Sequence, residues 1–162
     1  MIDKSTKTLT RAAILLAVAL VFQFVKMGQL VTGSGINAVL IVAAQICGLP
    51  WAAAIGAITP FMSVVLGVNP PALIPVVPFI VAGNILYVVV YSILKTKGKI
   101  IGVGLAALLK FGLLYSAVNY FVAVKPPIKV ALSFPQLFTA LMGGAVALII
   151  IKVLDRTQKT EE

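Results

Sequence analysis

The chain has 162 residues, 61% of them hydrophobic, with a mean hydropathy of +1.14 and a formal net charge of +9. Soluble domains average about 45–50% apolar residues, so a water-soluble globule is excluded and lipid is the expected solvent for most of this chain. All four acids, Asp3, Asp155, Glu161 and Glu162, lie near the two ends. The bases sit in short clusters between apolar runs, a pattern of membrane topology rather than of a nucleic-acid-binding face.

Six apolar runs follow one another, at roughly 11–27, 35–49, 51–67, 72–94, 99–122 and 134–154. A span needs on the order of 20 apolar residues. The expected fold is therefore an all-α integral membrane protein with six transmembrane helices, forming one domain over residues 1–162. The first run passes into VFQFVKMGQ without a small-residue cleavage site, so it reads as a span rather than a leader. Runs two and three are short. CGLPW (47–51) separates them, because Gly48 and Pro50 favour a tight turn and Trp51 suits an interface.

Lys4, Lys7 and Arg11 precede span 1, Lys95, Lys97 and Lys99 fall between spans 4 and 5, and Lys152, Arg156 and Lys159 follow span 6. Lys26, Lys125 and Lys129 are left for the other side. Positive-inside bias therefore places both termini in the cytoplasm. The connections expected outside, GQLVTGSG (28–35), GVNPPALIPVVP (67–78) and VAVKPPIKVALS (122–133), are rich in Gly and Pro. Connections of this kind either fold over a site opening outward or are ordinary surface loops.

With orientation assigned, the uncharged polar side chains concentrate in the outer half. Gln23 belongs to the outer part of span 1, Asn37 opens span 2, Asn84 precedes a mid-depth Tyr87, and Tyr115, Ser116, Asn119 and Tyr120 approach the outside along span 5. Gln136 and Thr139 begin span 6. A channel needs polar lining through the whole membrane, so a cavity open to one side fits better. Any one such side chain could instead bond between helices at about 0.6–2 kcal/mol. The argument rests on the cluster.

Lys110, in ALLKFGLLYSAVNY, stands near mid-depth with no acid to neutralise it. A charge there costs at least ~2.5–3.5 kcal/mol. It must be neutral, bonded to carbonyls and Tyr hydroxyls, or facing an anionic group from outside the chain. At about 100° per residue, Lys110 and Asn119 point to opposite helix faces, whereas Tyr115 and Asn119 share one. The expected substrate-binding residues are Asn37, Asn84, Tyr87, Lys110, Tyr115, Asn119, Gln136 and Thr139. Small residues four apart, Ala13 and Ala17, Ala52 and Gly56, Ala140 and Gly144, mark places where helices approach closely, within the chain or with a partner.

No histidine is present, and the single Cys47 lies in an apolar run. No metal, cofactor or internal disulfide is expected. An intramembrane enzyme would need acids, metal ligands or a nucleophile beside a base. Ser116 and Lys110 lie on different faces of one helix, so they form no dyad.

The stretches LTRAAILLAVALVFQ, GINAVLIVAAQICGLPWAAAIGAITP, PPALIPVVPFIVAGNILYVVV and SFPQLFTALMGGAVALIIIKVL resemble the substrate-binding S component of energy-coupling-factor (ECF) transporters, the vitamin importers of prokaryotes. The resemblance spans nearly the whole chain. It implies a multi-pass protein of the cell membrane, capturing a solute from outside and docking on a coupling transmembrane subunit through Ala13 and Ala17. Two cytoplasmic ATPase subunits would power import, and this chain has no phosphate-binding G-x-x-x-x-G-K-[ST] loop of its own. No vitamin-specific signature is matched. The absence of an acid disfavours a cationic solute and leaves a neutral heterocycle or a small carboxylate. A solitary transporter or a membrane assembly subunit without a solute are the alternatives. No nucleic acid is expected as a partner.

Overall fold

The computed structural model describes residues 3–160 except Lys26, and leaves out the side chains of 158–160. The described residues form α1 (Lys4–Phe24), α2 (Gln29–Ile46), α3 (Leu49–Val65), α4 (Val77–Leu94), α5 (Lys99–Ser116), a short α6 (Pro126–Ala131) and α7 (Phe134–Thr160). A 3₁₀ turn at Pro71–Val76 precedes α4, and a π-helical turn at Ala117–Phe121 ends α5. Five segments are long and apolar enough to cross a membrane, and α3, at 17 residues, is a shorter sixth. At ~1.5 Å per residue α3 is about 25 Å long, still in the range of a span. The chain is a multi-pass, six-helix membrane protein.

α2 is the centre of the bundle. Asn37 to Ala44 are buried without a break, the signature of a helix covered on all sides. It packs most extensively on α7 and also meets α1, α3 and α4. The main core joins Leu40, Ile41, Ala43 and Ala44 to Ala52, Tyr87, Tyr91, Ala107, Ala140 and Ala147. Gly48, at φ 92°, makes the turn between α2 and α3, and Pro50 falls in the first turn of α3, where a missing N–H costs nothing.

All three connections expected outside carry structure, the middle one as the 3₁₀ turn at Pro71–Val76. GQLVTGSG is helical from Gln29, so α2 begins six residues before the predicted run. The reason is packing: a Cβ on Gly33 would meet the Thr139 side chain at 2.9 Å, and one on Gly35 would meet the Phe22 ring. These glycines let helices approach rather than loosening the chain. VAVKPPIKVALS contains α6, started by Pro126 and Pro127. A separate small apolar cluster of Val76, Val118 and Leu132, with Leu73, Ile80 and Ile128 around it, ties the 3₁₀ turn, the π turn and α6 together. At the opposite end Lys99 of α5 pairs with Asp155 of α7 at 3.0 Å, and Lys95 Nζ donates to the Ala44 carbonyl at 3.2 Å. Of the bases used for orientation, Lys26 and the side chain of Lys159 lie outside the described residues.

The small-residue pairs divide into two kinds. Ala52, Gly56, Ala140 and Gly144 are buried between helices of this chain, whereas Ala13 and Ala17 are exposed on α1. Their neighbours Ala12 and Ala19 supply the buried face of α1.

Candidate functional site: a polar cavity floored by Lys110

A cavity of about 420 Å³ opens at the end of the bundle away from the termini. It is lined by α1 to α5, by the start of α7, and by two of the structured connections. Leu73 from the 3₁₀ turn and Pro127, Ile128 and Ala131 from α6 contribute to its walls. Gln29 Nε2 donates to the Ala131 carbonyl at 2.7 Å, fastening α6 to the start of α2.

Lys110 forms the floor and is 3% exposed. Its Nζ donates to Asn37 Oδ1 at 2.6 Å and to Asn84 Oδ1 at 2.8 Å. It also stands 5.2 Å from the centroid of the Tyr87 ring. Two bonds from a charged donor contribute about 1.5–3 kcal/mol each, and a cation over a ring adds about 0.5–2 kcal/mol. Together they offset the ~2.5–3.5 kcal/mol insertion penalty. Lys110 is therefore held by amide dipoles and a ring face, without an acid. The Tyr hydroxyl is not its partner: Tyr87 OH donates to the Ala140 carbonyl at 2.7 Å.

The amides are themselves fixed by sequence features that lie elsewhere. Pro60, inside α3, has no N–H, so the carbonyl four residues earlier, Gly56 O, loses its helical donor. Asn84 Nδ2 supplies the replacement at 2.9 Å. Gly56 permits this approach, since a Cβ there would sit 3.0 Å from Asn84 Cβ. With its nitrogen held by Gly56, Asn84 presents Oδ1 to Lys110. On the other side Asn37 Nδ2 reaches Thr139 Oγ1 at 3.5 Å, and Thr139 donates in turn to Gln136 O at 3.1 Å. Gly143 allows α7 to press on α2 beside Asn37. The chain of contacts Thr139–Asn37–Lys110–Asn84–Gly56 thus joins α7, α2, α5, α4 and α3.

Of the expected site residues, Asn37, Asn84, Lys110 and Gln136 line the cavity together. Thr139 and Tyr87 stand behind that lining and are fully buried. Tyr115 and Asn119 are not brought to it. Tyr115 is 37% exposed and its ring packs on Phe111, while Asn119 Nδ2 donates to the Tyr115 carbonyl of its own helix at 2.8 Å. Their face opposes that of Lys110, and the π turn does not return them to the cavity.

The cavity also recruits polar residues outside that expected set, namely Gln23, Gln29, Thr32, Thr59, Ser63 and Asn69. Asn69 Nδ2 donates to Ser63 Oγ at 3.0 Å, and Ser63 Oγ donates to Pro60 O at 2.7 Å. Proline at position 60 in AITPFMS was the available signal, because a proline inside a span frees a carbonyl that some neighbour must satisfy. Among the described residues no cluster of three His, Cys, Asp or Glu forms a metal site.

A family model for the substrate-specific component of ECF transporters matches residues 7–154. The chain belongs to that family. Members are substrate-binding transport subunits, and the matched region contains every residue of the cavity. Neither a curated protein nor a solved structure matches the S component described here.

Proposed function

We propose that this S component captures a vitamin-like solute, neutral or anionic, in the cavity above Lys110 and delivers it inward when docked on a coupling subunit and two ATPases. The observation that carries the reading is the cavity itself: about 420 Å³ with convergent polar groups, within the ~300–1,000 Å³ typical of small-molecule sites. Asn37, Asn84, Lys110 and Gln136 contact the solute, and Thr139 and Tyr87 hold the contacting groups in place. Both termini are cytoplasmic on positive-inside bias, so the cavity faces out of the cell, in the plasma membrane of a prokaryote. The exposed small face of Ala13 and Ala17 is the docking surface for the coupling subunit, since bulky side chains would hold two helices apart.

The test is mass spectrometry of small molecules released from gently purified protein. A molecule retained by the parent should be lost from Asn84→Leu and kept by Asn119→Leu. If no retained molecule distinguishes the two variants, the cavity is not the solute site. Ala13→Leu and Ala17→Leu should keep the molecule and lose co-purification with the ATPase subunits. Normal assembly of both would remove the docking assignment and favour a solitary transporter.

A further inference from the structure

Lys110 is the one charged side chain among the described residues that line the cavity. Its bonds of 2.6 and 2.8 Å to amide oxygens fall at the short, charge-assisted end of the range. The Tyr87 ring face 5.2 Å away is a second group that favours a cation. An ammonium has three N–H donors, and the two amide oxygens accept two of them. Asn84 is held in this orientation by its Nδ2 bond to Gly56 O at 2.9 Å, and Asn37 more loosely by a 3.5 Å contact from its Nδ2 to Thr139 Oγ1. In its ammonium form Lys110 gives the floor a positive charge solvated by two neutral dipoles but not cancelled by them, with one N–H left over. A buried charge in that condition retains its full attraction for an anion, strengthened by the low dielectric around it.

We infer that the solute is a carboxylate that enters acid first, its carboxyl group accepting the third N–H of Lys110 at the floor. The rest of the molecule lies toward the mouth, among apolar groups such as Ile36, Leu73 and Ile80 and the neutral polar groups Gln23, Asn69 and Gln136. This inference rests on the reading of the cavity as the solute site. It goes further in ranking an acid above its uncharged isostere. A primary amide or ester fills the same space and accepts the same bond, but leaves the charge uncancelled.

The experiment measures the thermal midpoint of the full chain in detergent, at fixed chloride concentration. The probes are acetate, benzoate and 4-phenylbutyrate, each against its primary amide. Binding to the folded state raises the midpoint according to concentration over Kd. The acids should stabilise the parent, the larger ones most, with apparent affinity at least tenfold above that of the matched amides. Lys110→Met should erase the difference between acid and amide, while the basic surface residues, unchanged in that variant, act as its internal control. Amides that stabilise the parent as well as acids do would overturn the inference and leave the cavity as a solute site. A parent indifferent to both classes would overturn the inference, while the solute reading would still stand or fall on the molecule retained by the purified protein. Should Lys110→Met fail to fold, equal stabilisation of the parent by acid and amide would still overturn the inference.

Discussion

The two halves of the bundle use the same helices for opposite purposes. In the half nearer the termini, α2, α4, α5 and α7 close on Ala43, Ala44, Ala107, Ala140 and Ala147 around the rings of Tyr87 and Tyr91. Two hydroxyls there are consumed internally, Tyr87 OH by Ala140 O and Tyr91 OH by Gln45 Oε1 at 3.3 Å. In the other half α2 still packs closely on α7 and α1 through Gly33 and Gly35, but a cavity opens among α2, α3, α4 and α5, above the meeting point of Asn37, Asn84 and Lys110. Where close packing is available, small residues and dispersion hold the membrane helices together. Where it is absent, hydrogen bonds across the gap do so, and their outer edges remain available to a solute. The dividing layer is the Lys110 network, with Tyr87 beneath it.

The largest effect should follow from forcing the closed contact between α2 and α7 open. A Cβ at Gly143 would sit 2.7 Å from Asn37 Cβ and 2.9 Å from Ala38 N, and would also collide with the Ser34 carbonyl. Because part of this is backbone, no rotamer change relieves it. Overpacking typically costs ~1–3 kcal/mol, so Gly143→Ala should lower the thermal midpoint clearly and Gly143→Leu should prevent stable purification. A midpoint unchanged in Gly143→Ala would mean that α7 is free to slide on α2.

Asn84→Leu should come next. It strips Gly56 O of its substitute donor and Lys110 of one of two oxygen partners, with each orphaned buried group costing about 1–3 kcal/mol. Solute retention and thermal stability should fall together. The pairing with Pro60 sharpens this: in Pro60→Ala, Gly56 O regains a helical donor, so Asn84→Leu should cost measurably less in that background than in the parent. Equal costs in both backgrounds would show that Asn84 does not serve the freed carbonyl.

Tyr87→Phe probes the closed half and should do less. It removes one hydroxyl bond to Ala140 O, worth about 0.5–1.5 kcal/mol, but leaves the ring under Lys110. Stability should drop modestly while affinity for a carboxylate probe stays within about twofold. A selective loss of affinity would place the hydroxyl in solute binding.

Much of the fold was legible because spans are long, apolar and punctuated: Gly48 and Pro50 mark the α2–α3 turn, and Lys95, Lys97 and Lys99 mark the α4–α5 turn. The start of α2 was not, since Gly33, Ser34 and Gly35 read locally as a loop and only Thr139 and Phe22, far away in sequence, make them contact positions. The same holds for the site. Depth along a span was readable for Asn37, Asn84 and Lys110, which are polar atoms in apolar runs. Which face each one occupies depends on neighbouring helices, and the contributions of Ser63 and Asn69 depend on how a connection folds back.

Face, rather than depth, sets the smallest expected effect. Tyr115 and Asn119 lie at the same level as the cavity, and polarity alone recommends them as strongly as Asn37 or Asn84. Yet Asn119 satisfies its own helix, and Tyr115 presents over a third of its surface away from the bundle. Tyr115→Phe removes a hydroxyl with no partner inside the bundle, and Asn119→Leu exchanges a helix-bonded amide for a side chain that lipid accepts. Surface changes of this kind usually stay within ~0.5 kcal/mol, so both variants should match the parent in midpoint and in probe affinity. A tenfold loss of affinity in either would mean that α5 rotates when solute binds, carrying this face toward the cavity and Lys110 away from its two amides. The stability of Asn84→Leu with probe present would then report the change directly, because breaking the network would no longer cost the bound state.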